Sequence, residues 1–108
     1  MKVGDNILEH LEEFKQGREW DQTEFVNAIR RNQIVWCWGA TAWTKMNNYA
    51  LRFKVTGYLH QGHVYLSVNA ADLFVVTITT TRGRILSITE DIYIDMIVDT
   101  IDRLVETK

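Results

Sequence analysis

Two histidines, His60 and His63, flank a Gln-Gly pair and are three residues apart. Imidazole is the commonest metal ligand in proteins, so this spacing could place both rings on one ion. A zinc site requires three or four ligands, however, and the remaining histidine, His10, lies far away in a predicted helix. Because no Cys pair or His-x-Glu motif accompanies them, we interpret the two histidines as solvated residues at a hairpin tip. We predict neither a metal nor another cofactor.

The single cysteine, Cys37, lies between Trp36 and Trp38. A nucleophilic cysteine requires a partner base or a positively charged environment. In an apolar segment between two indoles, Cys37 is interpreted as a small buried hydrophobic residue. The chain also lacks a glycine-rich phosphate loop, a nucleophile elbow, a metalloprotease helix and a Cys-x-x-Cys pair. The sequence therefore predicts a protein that is not an enzyme, with no catalytic residues.

Three tryptophans, Trp36, Trp38 and Trp43, fall within eight residues. Tryptophan is both a large core residue and an enriched anchor of protein interfaces. Two interpretations stay open from the sequence. The three indoles either form a wedge between the helices and the sheet, or they form a surface that contacts a partner protein.

One face of the central predicted strands combines basic and aromatic side chains. Several single-strand nucleic-acid binders use such a face to stack bases and to contact phosphates. A solvated antiparallel face is polar in any case, and Lys or Arg on strands suppresses edge aggregation, so simple solvation explains the same pattern. The candidate nucleic-acid contacts are Arg52, Lys54, Tyr58, His60 and Tyr65, joined by Arg82 and Arg84 at a later turn.

Acidic residues recur at spacings of four, four and three in the predicted last helix: Asp91, Asp95, Asp99 and Asp102. This spacing places them on one helical face. The face is either the solvated side of an amphipathic helix or an acidic strip for a protein partner or a cation. An inhibitor of a nucleic-acid-processing system could use such a strip to mimic phosphate charge.

The longest alternating stretch of the chain lies between residues 49 and 69. Apolar and polar residues alternate with a period of two up to residue 59, and the alternation resumes after the His-Gln-Gly turn. A period of two is typical of half-buried antiparallel strands. The sequence therefore predicts a hairpin with strands at 49–59 and 63–69, which has one apolar and one polar face.

Helices are predicted on both sides of this hairpin. An apolar stripe predicts a helix over residues 5–16, and the segment from Asp21 caps a second helix that ends near residues 31–32. Apolar residues at spacings of three and four predict a last helix over 90–106, capped by Thr89. Further strands are predicted at 34–38, 73–81 and 85–88, and residues 39–48 are predicted to form a loop or a single helical turn.

The predicted fold class is α+β: two N-terminal helices, an antiparallel meander of about five strands, and a C-terminal helix packed on the sheet. That helix is expected to cover the apolar sheet face. The residues of this face are Leu51, Phe53, Val55, Val64, Leu66, Val68, Val76 and Ile78.

The length of 108 residues predicts a single globular domain, residues 1–108. A net charge of −2 argues against a protein that works by general attraction to phosphate backbones. The start of the chain shows no secretory signal, no segment is apolar enough to span a membrane, and the lone cysteine excludes an intramolecular disulfide. We therefore expect a cytoplasmic protein that does not act in a membrane.

Three segments are similar to small uncharacterised proteins carried by phages and conjugative elements of gut bacteria. They are VWCWGATAWTKMNNYALRFKV, HQGHVYLSVNAADLF and TTTRGRILSITEDIYIDMIVDTIDRLVE, and together they cover roughly the last two-thirds of the chain. The resemblance supplies no functional residue. It implies a small accessory binder that regulates the element or blunts a host system.

The leading hypothesis from the sequence is a non-enzymatic cytosolic binding or regulatory protein of a mobile genetic element, which acts by protein–protein contact. Inhibition of a host system is one form of that function. The alternative is a single-stranded nucleic-acid-binding domain that uses the basic-aromatic sheet face. A homodimer, formed through a strand edge or the tryptophans, stays open.

Overall fold

The computed structural model describes residues 1–29, 31–32, 35, 37–57 and 59–106. Within these ranges, five strands form one antiparallel sheet, with helical segments before and after it. The predicted α+β fold is confirmed. The strands are β1 (Thr41–Lys45), β2 (Ala50–Thr56), β3 (Gln61–Val68), β4 (Phe74–Thr79) and β5 (Ile85–Ile92). The helical elements are α1 (Gln22–Ile29), α2 (Ile97–Val105) and 3-10 helices at Ile7–Glu9, Leu11–Gln16 and Ile94–Met96.

The sheet is a simple meander in the order β1-β2-β3-β4-β5. The central hairpin keeps an unbroken register, in which Phe53 lies opposite Val64 and Lys54 lies opposite His63. Because side chains alternate along a strand, this register separates an apolar face from a polar face. The period-two pattern thus predicted the two strands and their faces correctly. The predicted His-Gln-Gly turn is wrong, because β2 ends at Thr56 and Gln61 and Gly62 already pair with it as part of β3.

The apolar face packs against α1 and α2. Phe53, Val64 and Val76 are fully buried there, together with Ile97 and Ile101 of α2. The apolar residues of α2 recur at spacings that place them on one stripe, and burial of this stripe stabilises the helix more than its propensity does. The predicted docking of the C-terminal helix on this face is confirmed.

The N-terminal segment covers part of the opposite face, which the sequence predicts to be solvated. Ile7 and Phe14 are buried there with Tyr65 and Ile85 in a second apolar cluster. The ring of Phe14 stacks on that of Tyr65 with centroids 6.2 Å apart. The polar face is therefore only partly open to solvent.

The predicted helix over residues 5–16 is replaced by two short 3-10 helices. Residues before the first one run along β5: the amide of Gly4 donates to the carbonyl of Ile85, and the amide of Ile85 donates to the carbonyl of Asp5, both at 2.9 Å. This extended pairing uses the residues with which the predicted helix would begin. An α-helix therefore cannot start at Asp5.

The predicted strand over residues 34–38 is wrong. Val35 and Cys37 are helical and Trp38 lies in a turn, while Ile34 and Trp36 lie outside the described residues. Val35 and Trp38 are both buried and three residues apart, as on one helical face. A short apolar run has no period that separates helix from strand, so its β-prone composition was misleading.

The first strand lies instead in the segment predicted to be a loop or a helical turn. Thr44 pairs with Arg52 and Lys45 with Leu51, and the register shifts between Thr41 and Thr44. Ala42, at this irregularity, has a φ of 55°. The bulge interrupts the alternation of side chains, which explains why the sequence pattern does not indicate a strand.

The last predicted helix begins later than expected. Thr89 pairs with Val76 and Ile92 with Phe74, so β5 continues through residues assigned to the helix. Asp91 has a φ of 58°, and α2 begins only at Ile97. The sheet gains a longer edge strand because Ile92 is buried in the core beside α2. In the described part of the chain, no helix has the length and apolar character needed to cross a membrane.

Candidate functional site

The chain between β5 and α2 exposes three large apolar side chains. Tyr93 is 63% exposed, Ile94 is 70% exposed and Met96 is 47% exposed. The amide of Met96 donates to the carbonyl of Tyr93 at 2.9 Å, and in such a 3-10 turn the side chains at i and i+3 lie on the same side. We call the exposed side chains of Tyr93, Ile94, Asp95, Met96 and Asp99 the connector surface.

Carboxylates precede, interrupt and follow the apolar residues of the connector surface along the chain. Glu90, Asp91, Asp95 and Asp99 are all exposed, and residues 90–99 contain no Lys or Arg. One oxygen of Asp91 accepts a hydrogen bond from the side-chain amide of Asn69 at 3.0 Å. The surface therefore combines apolar side chains with a concentrated negative charge.

The predicted acidic strip does not follow one helical face. Asp91 lies in β5 and Asp95 in a 3-10 helix, so only Asp99 and Asp102 belong to α2. Asp102 is half-buried and accepts a hydrogen bond from the indole of Trp38 at 3.0 Å. It ties α2 to the core, whereas Asp95 and Asp99 remain exposed on the connector surface.

The tryptophans named as protein contacts have different environments. Trp38 is 0% exposed and stacks near Phe53, so it is a core residue and cannot contact a partner. Trp43 is half-buried and its ring lies 4.4 Å from that of Phe53, measured between centroids. Trp36 lies outside the described residues. Trp38 therefore packs in the core between the helices and the sheet, which is the first of the two alternatives. Trp43 keeps one partly exposed side.

That partly exposed side of Trp43 faces a shallow groove of ≈ 210 Å³ between α1 and the sheet edge, lined also by Gln22, Val26 and Leu51. Gln22 is 5% exposed; its amide nitrogen donates to the carbonyl of Asn47 at 2.7 Å. The sequence gives no signal for this groove because β1 itself was not predicted.

The basic-aromatic face is brought together only in part. Arg52 and Lys54 lie on one side of β2, and His63 lies opposite Lys54 on β3. Tyr65 is 1% exposed beneath Phe14, so the prediction that it stacks on bases is wrong. We call Arg52, Lys54 and His63 the cationic cluster, although the histidine is a neutral member near neutral pH.

The remaining predicted nucleic-acid contacts are dispersed. His60 is buried and does not reach the surface as expected for a hairpin tip. Arg82 and Arg84 are exposed in the turn after β4, at the same end of the sheet as His63. Tyr58 lies outside the described residues. The cationic cluster is therefore the part of this face that the structure assembles.

Both histidines of the hairpin favour the neutral state. Burial lowers the pKa of His60 by desolvation. Burial also lowers the pKa of His63, and the nearby charges of Arg52 and Lys54 lower it further. Among the residues that the structure describes, no group of three or more His, Cys, Asp or Glu side chains is placed to hold a metal ion.

Cys37 is exposed, in contrast to its interpretation as a buried hydrophobic residue. It lies on the opposite side of a helical segment from the buried Val35 and Trp38. The error follows from the wrong strand assignment, because a two-residue period and a helical period bury different residues of the same run.

No protein-family model matches the chain, and comparison with curated proteins and with solved structures gives no match either. The resemblance to proteins of phages and conjugative elements stays a prediction from the sequence.

Proposed function

We propose that the chain is a non-enzymatic binding protein that contacts a partner protein through the connector surface. The observation that carries this proposal is the exposure of Tyr93, Ile94 and Met96 within four consecutive residues. Contiguous exposed apolar side chains with a polar rim mark interaction sites, because burial of such a patch against a partner is favourable. Aromatic residues and methionine are also enriched in protein interfaces.

The charge around the connector surface specifies the chemistry of the partner. Asp95 and Asp99 are exposed beside the apolar residues, and no cation lies between residues 90 and 99. A complementary partner presents an apolar recess bordered by Lys or Arg. A nucleic-acid-binding surface has this character, which fits an inhibitor that mimics phosphate charge.

The biological setting is part of the same proposal. We propose that the protein acts in the cytosol as a regulatory protein of a mobile genetic element, with inhibition of a host system as its mode of action. The sequence resemblance supports this setting, and the acidic-apolar character of the connector surface is compatible with it.

The proposal is tested by site-specific photo-crosslinking from position 94 in the native host, followed by identification of the crosslinked protein. The affinity of this partner protein for the wild-type chain is then compared with its affinity for the Ile94→Asp variant. We expect the substitution to weaken binding by about thirtyfold or more, as for a buried interface anchor. Leu59→Asp is the matched control, because Leu59 is 49% exposed at a different site.

A partner that binds Ile94→Asp as tightly as the wild type would overturn the proposal. So would an equal loss for Ile94→Asp and Leu59→Asp. Charge reversal at Asp95 and Asp99 tests the electrostatic part separately, since unchanged binding would exclude phosphate mimicry.

The alternative function, binding of single-stranded nucleic acid, loses one of its two predicted tyrosines because Tyr65 is buried beneath Phe14, and the other, Tyr58, lies outside the described residues. It retains the charges of Arg52 and Lys54. Base stacking and phosphate contacts normally act together in this class of protein. The geometry therefore favours the connector surface as the basis of function.

A further inference from the structure

One cross-strand row of the polar sheet face contains three buried polar atoms without a hydrogen-bond partner. They are Nε of Arg52, the hydroxyl of Tyr65 and the hydroxyl of Thr77. Arg52 lies directly opposite Tyr65, and Tyr65 lies directly opposite Thr77. Isolated unpartnered polar atoms are rare in protein interiors because each loses its bonds to water. Three on adjacent strands require partners from outside this row, which water or a bound polar group can supply.

Positive charge is concentrated next to this row. Lys54 lies two residues from Arg52 on the same side of β2, and His63 lies opposite Lys54. The charges of Arg52 and Lys54 both act on His63, where they lower its pKa, so the three side chains are close together. Within the described ranges, no carboxylate forms an ion pair with Arg52 or Lys54. Among the described carboxylates, none therefore neutralises these two cations through an ion pair.

We propose that Arg52, Lys54, Tyr65 and Thr77 form a binding site for a phosphoryl group. Two cations beside a neutral histidine match the charge of a phosphate monoester, which is about −1.5 to −2 at pH 7. A guanidinium, an ammonium and two hydroxyls also offer donors for the three terminal oxygens of a phosphoryl group. A carboxylate has only two oxygens and one negative charge, so it satisfies fewer of these donors.

The burial of the four residues gives the site a closed and an open side. Tyr65 and Thr77 are fully buried, and Phe14 stacks over Tyr65. Arg52 is half-buried and Lys54 is exposed. Because the two hydroxyls are closed off in the free protein, a phosphoryl group reaches them only from the side of Arg52 and Lys54, with local movement of the side chains that cover them, and whatever is attached to it stays in solvent. The site therefore fits a phosphate monoester, or a terminal phosphate of an oligonucleotide, equally well.

The test follows backbone amide shifts by NMR during titration with inorganic phosphate and, separately, with a 5′-phosphorylated oligothymidylate. We expect saturable shifts at β2, β3 and β4 with either probe. Tyr65→Phe keeps the ring against Phe14 and removes only the hydroxyl, and it should weaken phosphate binding by about tenfold or more. Arg52→Gln should abolish it. Arg103→Gln is the matched control, since Arg103 is exposed on α2.

Tyr65→Phe also distinguishes a binding role from a structural one. Removal of an unpartnered hydroxyl should leave the free protein as stable as the wild type or more stable, while phosphate affinity falls. Tighter binding of the oligonucleotide than of phosphate would assign the phosphate to nucleic acid, and equal binding would assign it to a small phosphorylated molecule. Absence of saturable shifts in the wild type, or wild-type affinity in both Tyr65→Phe and Arg52→Gln, would overturn the proposal.

Discussion

At the scale of single residues, Trp38 and Asp102 illustrate how a chemical group acquires its role from its surroundings. The indole of Trp38 is fully buried, and its nitrogen donates to the carboxylate of Asp102 on α2 at 3.0 Å. A buried indole N–H requires a partner, and Asp102 supplies it. Two residues that the sequence offers as candidate protein contacts therefore join α2 to the core. Asp95 and Asp99, in contrast, are exposed on the connector surface.

His60 and His63 predict a pH-dependent stability. The pKa of each is lowered in the folded chain, by desolvation for His60 and by desolvation with Arg52 and Lys54 for His63. In the unfolded chain both titrate near pH ~6.5. The unfolded state then binds more protons than the folded state below this pH. The contribution of the two histidines to the free energy of unfolding is therefore fully present above pH ~6.5 and is lost as the pH falls below it.

Urea denaturation at pH ~7.5 and pH ~5.5 measures this effect, because the interval spans the histidine pKa of an unfolded chain. We expect the wild type to lose stability on acidification. The double variant His60→Gln, His63→Gln should lose distinctly less. An identical pH dependence in both proteins would assign the effect to other groups.

At the scale of elements, the N-terminal segment depends on one close contact with the sheet. The amide of Arg18 donates to the carbonyl of Val68 at 2.9 Å, which places Gly17 directly against that carbonyl. A Cβ atom at Gly17 would collide with the Val68 oxygen. Glycine at this position is required because the segment approaches the backbone of β3 too closely for any side chain.

Gly17→Ala should therefore destabilise the protein by about 1–3 kcal/mol, the usual range for an overpacked site. The clash moves the segment that carries Phe14, so amide exchange should accelerate first in residues 4–18 and at Tyr65. Thermal denaturation and hydrogen exchange measure the two effects. Gln16→Ala is the control because Gln16 is exposed. Equal stability of the two variants would contradict the close contact.

At the scale of the whole molecule, three cations of the polar face and two carboxylates next to the connector surface lie towards opposite ends of the sheet. Lys54, Arg82 and Arg84 lie towards the end where β4 turns into β5, while Glu90 and Asp91 lie towards the other end, near Asn69. The end near Asn69 also carries a cation, because Arg18 donates to the carbonyl of Ala70 and lies 3.9 Å from Asp72. The connector surface and the proposed phosphoryl site are separate surfaces, so they can act on different ligands.

The exposed carboxylates of the connector surface predict that association with the partner depends on salt. The rate of association with the partner identified by crosslinking should fall as ionic strength rises, because salt screens the attraction of exposed charges. Asp95→Asn with Asp99→Asn should lower the rate at low salt and flatten its salt dependence. Stopped-flow association at several salt concentrations measures both. An unchanged salt dependence in this variant would show that the connector surface does not steer the encounter.

The sequence predicts most accurately where a residue's burial follows directly from local periodicity. The alternation over residues 49–59 and 63–69 identified β2 and β3, and the stripe through Ile97 and Ile101 identified α2 and its packing. Prediction from the sequence fails where the hydrophobic period is absent or interrupted. Residues 34–38 are uniformly apolar, and the bulge at Ala42 breaks the alternation of β1.

The fold class, the polar and apolar faces of the hairpin and the cations of the polar face could be predicted from the sequence, because side-chain direction along a regular strand or helix is a local property. The tertiary structure was needed to establish that Phe14 covers Tyr65, that Trp38 is core, and that β5 continues to Ile92 and leaves the connector exposed. These outcomes depend on which distant segment competes most effectively for the same sheet surface. No window of local sequence contains that competition.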